Sequence, residues 1–243
     1  MTAAEKKELA GFLDTAFDAL HGGYRCEKQN TVFTDDPILD SLAKPCGPES
    51  IEAIAREIYK CTACRLCKIR AQAVPGEGAD RPDVMVIDSG PGQEEDVSGR
   101  PFTGISGERL DKMLTPIGLL RNTNCFFTGI IKCRTPEGRE PLPEETISCA
   151  SFLQRQIALL NPKIILCLGR IAAQSLLRTN EELDTLRERG SKIRIADKVI
   201  PVIASYHPDD IWANEELKRP AWEDLKKLKA WLEANSKDSP EEQ

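Results

Sequence analysis

The residues best equipped for chemistry are cysteines. Cys61-x-x-Cys64-x-x-Cys67 places three thiols within seven residues, a spacing that lets one turn present several thiolates to one metal centre. Cys133 and Cys149 follow far downstream, one after an apolar run and one inside a helical pattern. Together they read as a four-thiolate site closed by distant segments. A bacterial ferredoxin run would need a further cysteine at position 71, which is Ala71. Zinc and an iron–sulfur cluster both suit four thiolates, and spacing alone does not choose between them. Cys125 and Cys167 lie within apolar runs and read as small buried hydrophobes. Cys26 and Cys46 are isolated and read as inert.

The chain around these thiols has 243 residues, with 33 Lys+Arg against 39 Asp+Glu, a formal charge of −6, 40% hydrophobic and 5% aromatic residues. That length suggests one large domain with an extension, large enough to bury a core without staples. No apolar run approaches the roughly 18 residues of a membrane span. The charged start shows no secretory signal, so nine cysteines point to thiols or metal ligands rather than disulfides, and to a cytoplasmic protein. The charge is uneven. Residues 1–59 hold 6 bases and 11 acids, whereas 60–81 hold Lys60, Arg65, Lys68, Arg70 and Arg81 against Glu77 and Asp80, net +3. Such a cluster is either a solvated surface or a contact for phosphate.

Periodicity supplies the framework around these groups. Residues 3–20 and 49–59 read as helices, the second with Ser50 as a candidate cap, and 24–48 as a linker. From there the pattern alternates. Strands are expected at Val84–Ile87, Cys125–Ile131, Lys163–Leu168 and Val199–Ala204. Helices are expected at Gly107–Leu119, Glu144–Leu160, Ile171–Leu177 and Pro220–Ala234. The expectation is an N-terminal helical extension (1–59), an α/β domain (60–235) and a frayed tail (236–243). The domain is a three-layer α/β/α sandwich with a mostly parallel four-stranded sheet. Such sheets bind ligands at the carboxyl ends of their strands.

Seven sequence blocks, taken in order, resemble the iron–sulfur family 4 uracil-DNA glycosylases of prokaryotes. The likeness covers roughly residues 60–232. Cys61-x-x-Cys64-x-Leu66 opens it. Val86-Ile-Asp-Ser-Gly90-Pro91-Gly92-x-x-Glu95-Asp96 looks like the family's V-G-E-A-P-G-x-x-E-D. Gly99-Arg100-Pro101-Phe102-x-Gly104-x-x-Gly107-x-x-Leu110-Asp111-Lys112-Met113-Leu114 is a third block. Ile131-Lys132-Cys133-Arg134-x-Pro136, Cys149, Leu168-Gly169-x-x-Ala172-Ala173 and Tyr206-His207-Pro208 complete the set.

The resemblance implies that Cys61, Cys64, Cys133 and Cys149 hold a 4Fe-4S cluster of structural role, with Cys67 a spare thiol. It implies a DNA repair enzyme that flips a damaged base, such as uracil, and hydrolyses its N-glycosidic bond. Phe102 would stack on the flipped base. His207 would meet a base oxygen and stabilise the charge that develops there. Gly90, Pro91 and Gly92 would shape the water pocket through backbone groups, and Glu95 would match the family's second acidic residue.

Two positions depart from the family. Its first-block Glu is Ser89 here, with Asp88 where it has Gly. Its Asn on the second strand is Gly129, which has no side chain to read a base edge. That glycine has two explanations: a lost base reader, or a strand that needs close approach or a positive φ. Asp209 and Asp210 add acids where DNA would pass. The implied partner is damaged DNA, single- or double-stranded, and the implied state a monomer. The alternative reading is a catalytically degenerate iron–sulfur nucleic-acid-binding paralogue.

Overall fold

A computed structural model describes residues 49–195 and 198–235. The expected helix at 3–20, the linker, the tail, Cys26 and Cys46 lie outside the described residues.

Six strands form one sheet: β1 (Glu77–Gly78), β2 (Val84–Asp88), β3 (Cys125–Gly129), β4 (Ile164–Leu168), β5 (Ser191–Ile195) and β6 (Lys198–Ser205), in the order β1-β3-β2-β4-β6-β5. The four expected strands are the parallel centre of the sheet, β3-β2-β4-β6. The pattern did not announce β1 and β5. Both pair antiparallel at the edges, where a strand of two residues or an alternating Lys-Ile-Arg pattern leaves no continuous apolar run.

β2 to β4 are buried and apolar up to their carboxyl ends, and alternation divides their side chains between two cores. Met85, Ile87, Phe126, Ile165 and Cys167 face one core. It is completed by helices α1 (Ile51–Lys60), α4 (Pro143–Leu160), α5 (Arg170–Leu177) and α6 (Leu183–Arg189). Val84, Val86, Cys125, Phe127, Ile164 and Leu166 face the other, against α3 (Gly104–Leu114) and α8 (Lys218–Asn235). Two short helices, α2 (Gln93–Ser98) and α7 (Pro208–Ala213), sit directly after strand ends. No helix among the described residues is long and apolar enough to cross a membrane.

The helix signals act as their chemistry requires. Ser50 Oγ accepts from Ala53 N–H at 3.2 Å and starts α1. Pro143 occupies the first turn of α4. α3 starts three residues earlier than the apolar pattern suggested and ends at Leu114, passing into a 3-10 turn closed by Gly118 at φ +80°. Ile54 and Ile58 of α1 enter the main core. Arg155 of α4 holds that helix through Glu49 (2.5 Å) and Glu57 (2.7 Å).

Register brings the strand ends together. Asp88 pairs with Gly129, and Leu168 with Ser205, so the carboxyl ends of all four parallel strands finish level. The chain leaves β2 to one side for β3 and crosses back over it for β4, which makes the end of β2 a topological switch point.

Candidate base-binding cleft and cysteine pocket

A cleft of about 500 Å³ opens at that switch point. Its lining includes Asp88, Ser89, Gly90, Pro91, Gly92, Glu95, Phe102, Gly129 and His207. These candidates, marked by the sequence blocks, are brought together from four separate strand ends or loops.

Phe102 is held in a costly conformation. Its φ is +50°, unusual for a bulky residue. Two clamps hold it there. Arg121 donates to the carbonyls of Phe102 (2.8 Å) and Pro101 (3.3 Å) while pairing with Asp111 at 2.7 Å. Glu95 accepts from Thr103 N–H at 2.9 Å and from Gly92 N–H at 3.1 Å. A Cβ on Gly107 would lie 1.9 Å from the Phe102 carbonyl oxygen, so only glycine lets α3 close beneath this loop. The Phe102 ring meets Phe127 edge-on at 5.7 Å and lies near-parallel to the His207 imidazole, centroids 6.5 Å apart.

His207 caps α7: its Nδ1 accepts from Asp209 N–H at 3.2 Å. In the neutral ring the proton then sits on Nε2, which points toward Asp88 Oδ1 at 3.7 Å. Tyr206, one residue earlier, is fixed by Asp184 and by Arg187 (2.8 Å). Arg187 in turn pairs with the buried Asp224 at 2.7 Å, and Ser205 donates to the same carboxylate at 3.0 Å. This network, of which only Tyr206 lay in a sequence block, anchors the residues on either side of the β6 end from which His207 follows.

Asp88 ends β2 among buried neighbours. Burial pushes its carboxyl up, while His207 and the Ser89 N–H at 2.5 Å pull the other way. The sequence marked this residue only as a departure.

Gly129 is in extended backbone, and its neighbours explain it. A Cβ there would lie 2.7 Å from the Ile131 carbonyl oxygen and 2.9 Å from Gly90 Cα. Of the two explanations, close approach is the one the packing supports, and a positive φ is not involved. Of the two acids after His207, Asp209 is less repulsive than its charge suggests: it pairs with Arg109 at 2.8 Å, which also stacks on Trp212.

The second site shares the segment 128–133 with the first. Cys61, Cys64, Cys67, Cys133 and Cys149 line one small pocket with Ile58, Arg70, Lys132 and Phe152. Among the described residues no three Cys, His, Asp or Glu groups are gathered as a single-ion site. Arg70 donates to Cys133 Sγ at 3.0 Å and Ala63 N–H to Cys61 Sγ at 3.5 Å. Burial pushes the Cys149 thiol up to about 11 and that of Cys133 upward as well. Lys132 joins the two sites. It is buried, and its ammonium donates to Thr128 Oγ1 (2.5 Å), Gly129 O (2.9 Å) and Gln156 Oε1 (2.8 Å). Asp96 of α2 accepts from Ala71 N–H at 3.0 Å and ties the cysteine segment to the cleft's second loop.

An open parallel sheet, with a cleft at its switch point that offers an aromatic face, an imidazole N–H and a carboxylate, defines an α/β protein with a site for one flat polar group. The chain belongs to the uracil-DNA glycosylase superfamily, whose family model matches residues 75–226. It is 36% identical to a type-4 uracil-DNA glycosylase of Archaeoglobus fulgidus over 184 residues, covering 74% of this chain and 92% of that one. A type-4 enzyme of Thermotoga maritima is 36% identical over 188 residues, 76% of this chain and 95% of that one. A type-5 uracil-DNA glycosylase of Pyrobaculum aerophilum is 28% identical over 155 residues, 58% and 67% of the two chains.

Proposed function

We propose that this protein is a DNA repair glycosylase that hydrolyses the N-glycosidic bond of uracil, or of another damaged base, after flipping it out of DNA. One observation carries the reading: Phe102, His207 and the 88–92 loop converge on a single cleft with room for a nucleobase. The relatives named for this activity favour it over the non-catalytic alternative.

In this reading the base slides between the cleft walls and stacks on Phe102, whose strained backbone keeps the ring in place before the base arrives. As the bond to C1′ stretches, the sugar gains positive and the base negative charge. The His207 Nε2–H, beside Asp88 in the cleft lining, donates to the base oxygen on which that charge gathers. Gly90, Pro91 and Gly92 present backbone groups beside the attacking water, with the Ser89 side chain alongside. Glu95 acts as a positioning residue, since both its oxygens accept backbone N–H groups that shape the cleft. We read the protein as a cytoplasmic monomer acting on DNA.

The cysteine pocket suits a 4Fe-4S cluster held by Cys61, Cys64, Cys133 and Cys149. Thiols from three separate segments line the pocket, and four thiolates, one per iron, are what such a cluster takes. N–H groups aimed at sulfur favour the thiolate. Buried thiols with raised pKa values need a metal to lose their protons. The cluster supplies a structural tie between residues 61–70, the segment after β3 and α4.

Incubation of the purified protein with oligonucleotides carrying uracil, hypoxanthine and other damaged bases, followed by alkaline cleavage, tests the activity. Strand breaks at the damaged position are expected. Binding without cleavage of any tested base would return the degenerate paralogue.

A further inference from the structure

The floor of the cleft carries a pair of polar groups whose chemistry is complementary to one kind of base edge. Asp88 and Gly129 are register partners on adjacent parallel strands, so their side-chain directions share a face of the sheet. Position 129 has no side chain, and backbone atoms of Gly90 and Ile131 occupy the room one would take. Thr128, the other lining side chain at this end of the β2–β3 pair, has its hydroxyl engaged by Pro75 O, Gln156 and Lys132, so the Asp88 carboxylate is the group there left to meet a ligand. Its Oδ1 stands 3.7 Å from His207 Nε2. The imidazole Nδ1 is engaged by Asp209 N–H, which leaves Nε2 as a donor. The floor thus offers an acceptor and a donor side by side.

We propose that Asp88 reads the flipped base, and that Asp88 with His207 selects a lactam edge: a ring N–H beside a carbonyl. The ring N–H donates to Asp88, and the carbonyl accepts from His207 Nε2–H. Uracil and hypoxanthine present that edge. Cytosine and adenine do not, because the matching ring nitrogen carries a lone pair that an acceptor oxygen repels. Deamination converts the second kind of edge into the first, so this pair would separate damaged bases from their parents. A neutral carboxyl would serve as well, since its carbonyl oxygen still accepts. Thymine and guanine share the lactam edge and must be excluded by cleft shape.

The inference rests on the glycosylase reading, so its test includes a readout that needs no cleavage. Duplexes carrying 2′-fluoro-2′-deoxyuridine or 2′-fluoro-2′-deoxycytidine resist hydrolysis and report recognition by binding alone. Wild type is expected to bind the uracil analogue roughly ten- to a hundredfold more tightly, the worth of one or two hydrogen bonds to a charged group. Asp88→Asn keeps the shape, but its amide can turn either an oxygen or an N–H toward the base. It should therefore bind the two duplexes almost equally. In an excision assay the same variant should lose discrimination against cytosine, and Asp88→Ala should lower uracil excision. A melting scan establishes that each variant is folded, and loss of a merely structural contact would not change the uracil-to-cytosine ratio. Equal binding of both duplexes by wild type, or an unchanged ratio in folded Asp88→Asn, overturns the assignment. A preserved uracil preference with no excision by wild type would sink the glycosylase reading and leave Asp88 as the reader.

Discussion

The cleft and the cysteine pocket share one stretch of chain, residues 128–133, yet they are held by different means. Thr128, Gly129 and Ile131 line the cleft; Lys132 and Cys133 line the pocket. The cleft is shaped from within by hydrogen bonds: Arg121 on the Phe102 loop, Glu95 across the 92–103 segment, and Arg187 with Asp224 beneath Tyr206. The pocket draws three segments together around its thiols: Arg65 joins the first to α4 through Glu144 and Glu145, Arg70 reaches Cys133, and the Cys133 and Cys149 thiols are buried with raised pKa values. A site built by its scaffold tolerates loss of the groups that do chemistry. A site built around its ligand is expected to unravel when a ligand residue is removed. Four substitutions put that contrast to the test.

The largest effect is expected from His207→Ala. It removes the donor aimed at the base oxygen and should lower uracil excision by roughly 10²- to 10³-fold. Single-turnover kinetics and a melting scan on one preparation check it. Retained excision would take His207 out of the mechanism. A large drop in Tm would mean that the cleft is not held independently of its chemistry.

Cys133→Ala should do the opposite. It should strip iron and visible colour from the protein and lower Tm on the order of 10 °C, as loss of a structural metal site does. Iron analysis and absorption of the purified variant decide this. Full iron retention would move the fourth ligand to Cys67, and a colourless wild type holding stoichiometric zinc would sink the cluster.

Gly129→Asn tests the packing at the boundary of the two sites. A side chain there must displace the backbone of Gly90 or Ile131. The expected cost is about 1–3 kcal/mol of stability, as for overpacked cores, with no gain in uracil excision. A rise in excision at unchanged Tm would restore the interpretation of a missing base reader.

The smallest effect concerns the basic segment. Arg65 is engaged by Glu144 and Glu145, and Arg70 by Cys133 and backbone carbonyls. Lys60 and Lys68 remain exposed without an acidic partner among the described residues. Lys68→Glu should lower duplex affinity slightly and reduce the slope of log affinity against log salt by about one. An unchanged slope would leave this face solvated and away from DNA.

The four parallel strands were legible in the amino-acid sequence, because fully buried strands need unbroken apolar runs such as Val84–Ile87 and Ile164–Leu168. Ser50 and Pro143 were legible as helix starts, since capping is local chemistry. Ordered motif blocks also picked out Phe102, His207, the 88–92 loop and four of the cysteines without any geometry. Short edge strands and the helices after strand ends were less legible, because two to seven residues carry too little periodicity. Folding settled what depends on register and close approach. Nothing in the spacing of Asp88 and Gly129 says that they pair across β2 and β3, or that the backbone of Gly90 fills the place of a side chain at 129. Nor does any local pattern place Arg121 on the Phe102 carbonyl or Asp224 beneath Arg187. Contacts between residues some 20 to 40 positions apart are fixed by how strands align and helices pack, so they become visible only when the chain is folded.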